Sequence, residues 1–359
     1  MSDYITGLRQ DLVEAAARQQ AAGRGARVAR PLRPRAWSPV AVLGSAAALA
    51  AAVVLVVGLR AVSPSQPPSA PKVVATYHLG GEPRDATFAG GALVVANVDG
   101  SVVVIDPAHP RDRHQLQVGA TPNSVAADGS SVWVASVHAT ANAHHASLLQ
   151  VDARTGRRLA RVSLRDGYVS HVAVGAGGVW MACDLETAGL ARIDPRSHRR
   201  TAYLPGVDVR GVAASDDAVW TRASDTVTQW DAAGRVVNRV SGVSSALGDQ
   251  SQHTMLADAH GAWVVGQGDG VLYRIEHGAI VRRIRVGATA GAIGGGGSTV
   301  WVMASPGTGE NELVRVDAEE RNVTARLALG RFDPEAVVPV GRDVWLVARD
   351  GELRRVSQG

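Results

Sequence analysis

Histidine side chains are the groups of this 359-residue chain best suited to chemistry. Three histidines fall in one short stretch, 137–145, and others follow at wider spacing with a charged Asp-x-Arg pair. The candidate ligand-binding residues are His138, His144, His145, His171, Asp208, Arg210 and His253. Imidazole nitrogens bind divalent metals and move protons near neutral pH. The set therefore predicts a binding site that could also hold a divalent metal or a general base.

A plainer interpretation of the same residues is a solvated polar loop, since surface loops attract such side chains without using them. No histidine pair has the i, i+4 spacing of a helical metal site, and no C-x-x-C group occurs. We therefore assign no catalytic residue, no metal ligand and no cofactor from the sequence. The single cysteine, Cys183, excludes an intramolecular disulfide, and its neighbours predict a buried strand residue.

A repeated motif indicates the elements that must position these residues. It reads apolar-Trp-apolar, then a variable stretch, then apolar-Asp, and recurs seven times at spacings of 38 to 47 residues. Its central positions are Leu93, Trp133, Trp180, Trp220, Trp263, Trp301 and Trp345. A period in the low forties with several short strands per unit is typical of a propeller blade. The sequence therefore predicts an all-β, seven-bladed β-propeller of four-stranded blades over residues 73–359.

One repeat shows the strands of a blade, separated by Gly and Asp-Gly turns. The predicted strands are Ser124–Ala127, Val132–Ser136, Leu148–Asp152 and Arg158–Leu164. The repeated aspartates after the third strand are interpreted as turn formers. The glycine run 294–297 is interpreted as a hairpin turn between the first two strands of its blade, not a phosphate loop.

Both ends of the repeat region are incomplete, which predicts how the ring closes. The last unit supplies three strands, Ala336–Val340, Val344–Val347 and Glu352–Ser357, whereas Val73–Leu79 has no unit of its own. Pairing Val73–Leu79 with the last blade would leave no sheet edge bare.

The N-terminal part has a different composition, which predicts a membrane anchor. Residues 39–59 carry no charge, and 21 residues span roughly 31 Å as a helix, enough for a hydrocarbon core. We expect a cytoplasmic basic segment with a short helix at 1–36, a transmembrane helix at 37–60 and a Pro/Ser-rich linker at 61–72. A cleaved signal peptide is the alternative.

Charge gives the orientation of that anchor. The chain has 37 basic and 33 acidic residues, a net charge of +4. Residues 1–36 contain seven arginines and three acidic residues, so this segment holds the whole excess. The positive-inside rule then predicts a cytoplasmic N-terminus and an extracytoplasmic propeller. Anionic lipid headgroups account for the basic segment, so no nucleic-acid partner is expected.

The phrases SVWVAS…LLQVDARTG and GVWMAC…LARIDPRS resemble the YVTN-type and streptogramin lyase (virginiamycin B lyase)-like propeller family over residues 73–358. The resemblance implies a secreted or membrane-attached bacterial protein. It also implies, for some members, a lyase activity that opens a cyclic depsipeptide with histidine, glutamate and magnesium. Those lyases carry Glu-x-His, which this sequence lacks. No catalytic residue is therefore carried over.

The sequence favours a non-catalytic binding or interaction module at the membrane. Its expected partner is a protein, a peptide or a wall-derived ligand, bound on the loop face of the ring. The alternative is an enzyme of the lyase type, acting on a cyclic or cell-wall compound. A third hypothesis is signalling, in which ligand capture outside alters docking of the N-terminal helix inside.

Overall fold

Strands account for all the regular structure in the part of the chain that the computed structural model describes, residues 70–139, 144–184, 188–244 and 253–358. They form seven sheets of four strands each. No helix among these residues is long and apolar enough to cross a membrane. The predicted cytoplasmic helix, the predicted transmembrane helix and the linker up to residue 69 lie outside the described residues.

The seven sheets are the blades, numbered in chain order. Blade 1 contains β2 (Pro83–Ala89), β3 (Ala92–Asn97), β4 (Ser101–Asp106) and β5 (His109–Gln117). Blade 2 contains β6 (Thr121–Asp128), β7 (Ser131–Ala139), β8 (His144–Asp152) and β9 (Arg158–Asp166). Blade 3 contains β10 (Tyr168–Gly175), β11 (Gly178–Asp184), β12 (Ala188–Asp194) and β13 (Arg199–Pro205). Blade 4 contains β14 (Gly211–Ala214), β15 (Val219–Ala223), β16 (Thr226–Trp230) and β17 (Val236–Ser241).

The remaining blades follow the same plan until the last. Blade 5 contains β18 (Met255–Asp258), β19 (Gly261–Gly266), β20 (Val271–Glu276) and β21 (Ala279–Arg285). Blade 6 contains β22 (Thr289–Gly296), β23 (Thr299–Ser305), β24 (Asn311–Asp317) and β25 (Asn322–Gly330). Blade 7 contains β26 (Pro334–Val340), β27 (Asp343–Ala348), β28 (Glu352–Ser357) and, from the start of the described chain, β1 (Lys72–His78).

Burial within a blade is greatest in the middle strands and least in the outer strand. In blade 1 the inner strand β2 is partly buried and every residue of the second strand β3 is buried, whereas the outer strand β5 is exposed along most of its length. The first strands of successive blades contact one another all the way round, from β2 through β26 and back to β2. The prediction of an all-β, seven-bladed propeller of four-stranded blades is therefore confirmed.

The ring closes through strands from the two ends of the described chain. β1 pairs antiparallel with β28, from Lys72 opposite Ser357 to His78 opposite Glu352. Just beyond, the Leu79 N–H donates to the Gly351 carbonyl at 2.9 Å. The segment without a unit of its own thus supplies the outer strand that the last blade lacks. Its backbone bonds cover the free edge of β28.

Tryptophans fill the spaces between blades. Trp133, Trp180 and Trp301 have no exposed surface, and each packs against the next blade. The pairing registers show that Val94, not Leu93, is the equivalent residue of blade 1. Val94 lies opposite Thr87 on the inner strand, as Trp133 lies opposite Ala126. The Leu93 assignment is wrong by one residue because apolar side chains occupy both positions.

A second repeated feature appears only in the structure. The third-strand residue opposite the tryptophan is an arginine in four blades, and its guanidinium lies over the indole ring. The pairs are Arg192 with Trp180 (5.6 Å), Arg274 with Trp263 (4.9 Å), Arg315 with Trp301 (5.9 Å) and Arg355 with Trp345 (5.8 Å). Each pair adds a cation–π contact to the area that the indole buries.

The aspartates after the third strand hold the turn to the outer strand, as predicted. Asp152 Oδ1 accepts the N–H groups of Arg154 at 3.1 Å and Thr155 at 2.8 Å. Asp194 binds the backbone of its own turn in the same way. Bonds from the Thr155 backbone and hydroxyl lower the pKa of Asp152 and keep it ionised. These carboxylates are turn formers.

Two turns differ from their predictions. The strands on either side of the histidine stretch are longer than predicted, because β7 runs to Ala139 and not to Ser136, and β8 starts at His144 and not at Leu148. The glycine run also lies mostly in β22, and the turn begins only at Gly297. A Cβ on Gly294 would come within 2.1 Å of the Val337 carbonyl oxygen of blade 7. Glycine is therefore present there because two inner strands approach closely.

Candidate functional site

The site is built on one end of the ring, called here the loop face. Inner strands begin at this end and second strands finish there. The loops between blades and the loops from second to third strands therefore share it. Residues from distant parts of the chain meet on this face because each blade contributes two loops to it.

A buried carboxylate lies at the centre of the loop face. Asp85, at the start of β2, has no exposed side-chain surface. Its Oδ1 accepts the Ala86 N–H at 2.7 Å, and its Oδ2 accepts the Val125 N–H of blade 2 at 2.7 Å. Two hydrogen bonds from backbone amides hold the Asp85 carboxyl group in this buried position.

His253 reaches Asp85 from the far side of the ring. Its Nε2–H donates to Asp85 Oδ1, which joins blade 5 to blade 1 although these blades are not neighbours. The His253 side chain is 27% exposed, and its carbonyl accepts the Ile293 N–H of blade 6 at 2.8 Å. Burial lowers the pKa of His253, but the adjacent Asp85 carboxylate raises it by a larger amount. The pKa of His253 is therefore raised above its ordinary value of 6.5. We call this ion pair the axial pair.

A cavity of about 480 Å³ opens on the loop face among blades 5, 6 and 7. Its polar lining consists of Gln267, Thr289, Ser305, Asn311 and Asp333. The remaining lining residues are small or apolar: Ala290, Gly291, Ala292, Met303, Ala304 and Pro334. The volume falls within the range of small-ligand sites, about 300–1,000 Å³.

Hydrogen bonds hold several of the polar lining groups in place. The Asn311 Nδ2 donates to the Phe332 carbonyl at 3.2 Å and to Asp333 Oδ1 at 3.4 Å. The Ser305 hydroxyl donates to the Glu310 carbonyl at 3.0 Å. The amide and hydroxyl groups are therefore fixed before any ligand arrives, which lowers the ordering cost of binding.

Gly291 is one of the residues that line the cavity. It lies in β22 between Ala290 and Ala292, and a Cβ added to it would meet no atom within 4 Å. Its backbone is not in the left-handed region, so larger side chains are tolerated there. A side chain added at Gly291 would therefore extend from the cavity lining without a clash at its Cβ.

Two further charged residues, Glu335 and Arg222, lie in blades 7 and 4. Glu335, in blade 7, accepts from Arg349 Nε at 2.7 Å. Burial raises the pKa of Glu335 and outweighs the opposing effects of Arg349 and Arg84. Arg222 is 3% exposed and donates from Nη1 to the Val265 carbonyl at 2.7 Å, which ties blade 4 to blade 5.

The structure separates most of the histidines that the sequence grouped. His138 lies directly opposite His145 in the hairpin of β7 and β8, next to His144, and all three are exposed. His171 is buried in β10, and only His253 joins the axial pair. Within the described ranges, no group of three or more His, Cys, Asp or Glu could hold a metal ion. Residues 140–143, between β7 and β8 in sequence, lie outside the described part.

The predicted Asp208 and Arg210 lie together in the loop before blade 4. Arg210 Nε donates to Asp208 Oδ2 at 3.4 Å, and both side chains are more than half exposed. An exposed pair of this kind contributes little to stability.

Burial raises the pKa of the Cys183 thiol to about 12, which leaves it protonated and unreactive near neutral pH.

None of the cavity residues is among the binding residues that the sequence predicts. Gln267 directly follows β19, and Ser305 ends β23, so both occupy the position where second strands finish. That regular position was a usable signal. The open space beside Gly291 had no signal in the sequence, because a glycine in the middle of a strand does not show which residues surround it.

The fold and this face define the class of the protein: a seven-bladed β-propeller with a polar cavity on its loop face. No family model matches the chain, and no curated protein matches it.

Proposed function

We propose that this chain is a non-catalytic binding module that captures a small wall-derived sugar or peptide in the cavity of blades 5 to 7. The observation that carries the proposal is the cavity itself, with fixed amide and hydroxyl groups and one carboxylate. Such groups match ligands rich in hydroxyls and amides, as fragments of cell-wall polymers are. The blade phrases further support membership of the YVTN-type, streptogramin lyase-like propeller family.

The test is calorimetric titration of the full chain with muramyl dipeptide and with N-acetylglucosamine oligomers. Gly291→Leu places a side chain in the cavity and should abolish binding. Gly296→Leu is the matched control, because Gly296 lies five residues along the same strand, exposed and in ordinary contact with Pro339. Equal affinity of both variants, or no binding of any probe at millimolar concentration, would contradict the proposal.

We further propose that residues 37–60 anchor the propeller to the outer side of a membrane. The support is the uncharged run 39–59 with the basic segment before it. Protease added to intact cells should degrade the propeller while a tag at the N-terminus is protected. Protection of the propeller under those conditions would place it inside.

A second candidate function is an enzyme that acts on a cyclic or cell-wall compound, and the axial pair favours it. Asp85 orients the partly exposed imidazole of His253, an arrangement that suits proton transfer. His253→Gln should then remove turnover of a cell-wall substrate while calorimetric binding persists. Turnover that survives this change would exclude the role.

A further inference from the structure

Positive charge is concentrated on the outer strands of the propeller. These seven strands hold 13 Arg or Lys residues and two Asp, although residues 37–359 as a whole have 30 basic and 30 acidic side chains. The inner strands show no such excess. The outer surface of the ring is therefore basic in a chain segment of zero net charge.

Pairing registers define one position of the outer strand, called here the rim position. It is the outer-strand residue that pairs with the last apolar residue of the third strand, just before the repeated Asp. In blades 5 and 7, which lack that Asp, it pairs with the equivalent apolar residue of the third strand. The seven rim residues, in blade order, are Arg113, Arg158, Arg200, Val236, Ile280, Val323 and Val73. Four blades thus carry a β-branched residue, as a strand favours. Blades 1, 2 and 3, which are consecutive, carry arginine instead.

The rim arginines lie in the open. Arg113, Arg158 and Arg200 are exposed. Arg113 Nη1 donates to the His78 carbonyl of blade 7 at 3.1 Å, and Arg200 lies 5.2 Å from the Tyr203 ring centre. These contacts orient two of the guanidinium groups without neutralising them.

The sheet faces that carry Arg158 and Arg200 point toward the preceding blades. Arg158 lies opposite Val151, which packs with Val94 of blade 1. Arg200 lies opposite Ile193, which packs with Trp133 of blade 2. The rim arginines therefore lie at the outer ends of grooves between blades.

Nearby carboxylates only partly balance this charge. Segments 152–166 and 194–205, the outer turns and strands of blades 2 and 3, contain eight arginines and three aspartates. Two of those aspartates, Asp152 and Asp194, are bonded to backbone amides of their own turns. His198 fixes the blade 3 turn against blade 2, with Nε2 3.2 Å from Gln150 Oε1. The two blades therefore present one basic surface.

We propose that Arg113, Arg158 and Arg200 form a site for a flexible, phosphate-bearing polyanionic chain that runs along the rim of blades 1 to 3. The planar guanidinium binds phosphate oxygens through paired N–H donors. A flexible chain can follow a curved rim and reach the ends of the grooves, whereas a flat bilayer touches only a short arc. The site is separate from the cavity, because it lies on the outer strands.

The experiment titrates the full chain with long-chain inorganic polyphosphate across a range of salt concentrations. The variant is Arg113→Val with Arg158→Val and Arg200→Val, which installs the side chain found at the rim of other blades. Because valine suits this position, folding should be retained, as an unchanged unfolding midpoint would show. We expect the affinity of this variant for polyphosphate to fall by about tenfold or more. The slope of log K against log salt should also become less steep by roughly 2, because each lost phosphate contact accounts for about 0.7.

The matched control removes the same charge from blades 4 and 5, as Arg239→Val with Arg282→Val and Arg283→Val. It should bind polyphosphate nearly as tightly as the unchanged chain. Equal losses in both triple variants would show general charge attraction and overturn the proposal. Binding of single phosphate ions as strong as that of the chain would also overturn it, as would arginine-dependent binding to phosphatidylglycerol vesicles without binding to polyphosphate.

Discussion

At the scale of single residues, the axial pair is the most informative contact of the molecule. The Asp85 carboxylate has no exposed surface. It accepts hydrogen bonds from two backbone N–H groups and one imidazole, and these three donors belong to three different blades. Removing one partner of a buried ion pair costs more than its net contribution, because the other charge is left without compensation. The pair should therefore affect both stability and its dependence on pH.

We predict that stability falls as pH rises through the titration of His253. The pKa of this imidazole is raised above 6.5 in the folded chain by Asp85. Its contribution to the free energy of unfolding is fully present below about pH 6.5 and is lost as pH rises through the raised folded-state pKa. Urea unfolding of the full chain between pH 5 and 9 measures this loss.

His253→Gln should flatten the pH profile in that window, because glutamine still donates a hydrogen bond to Asp85 but does not titrate. The control is His138→Gln, which removes an exposed imidazole from β7. An unchanged profile in His253→Gln, or the same flattening in the control, would show that the axial pair does not cause the pH dependence.

At the scale of elements, packing between inner strands decides which residues a blade accepts. β22 illustrates this, because its first residues line the cavity and its middle touches blade 7. Small residues therefore serve two purposes within one strand. At Gly291 the absent side chain leaves open space, whereas at Gly294 it permits close backbone contact.

We predict that Gly294→Ala lowers the free energy of unfolding by about 1–3 kcal/mol, the usual cost of overpacking. The added Cβ would meet the Val337 carbonyl oxygen at 2.1 Å, and backbone cannot move aside as a side chain can. Gly296→Ala, whose Cβ meets only Pro339 at 3.5 Å, is the matched control. Equal unfolding midpoints for the two variants in urea would contradict the prediction.

At the scale of the whole molecule, the ring is held closed by backbone pairing of β1 with β28. The two strands are far apart in sequence, so loop-closure entropy opposes their meeting. A covalent link between them would remove part of that entropy from the unfolded state. Cys183 is buried and will not compete for the new bond.

We predict that Lys72→Cys combined with Ser357→Cys forms a disulfide and raises Tm by several degrees under oxidising conditions. The two residues are directly opposite in the antiparallel pair, at the separation of about 4.5–5.5 Å that disulfides accept. The same variant under reducing conditions is the control. A Tm that does not change on oxidation, with the disulfide shown to be formed, would indicate that ring closure does not limit stability.

The sequence by itself determined the blades. A tryptophan every 38 to 47 residues, alternating strands and aspartate turns are local patterns, so they could be read without coordinates. The all-β ring of seven four-stranded blades follows from them. Even so, Val94 could not be distinguished from Leu93 in the first repeat, because both fit an apolar strand.

Only the tertiary structure decided which loop residues meet. His253 was a candidate in the sequence, but its bond to Asp85 spans 168 positions and crosses the ring. The grouped histidines of blade 2 were close in sequence and stayed on one exposed hairpin. The cavity, the arginines over the indoles and the rim arginines all depend on pairing register and on blade-to-blade packing. Local residue patterns do not encode those distances, because contacts between blades form only when the ring closes.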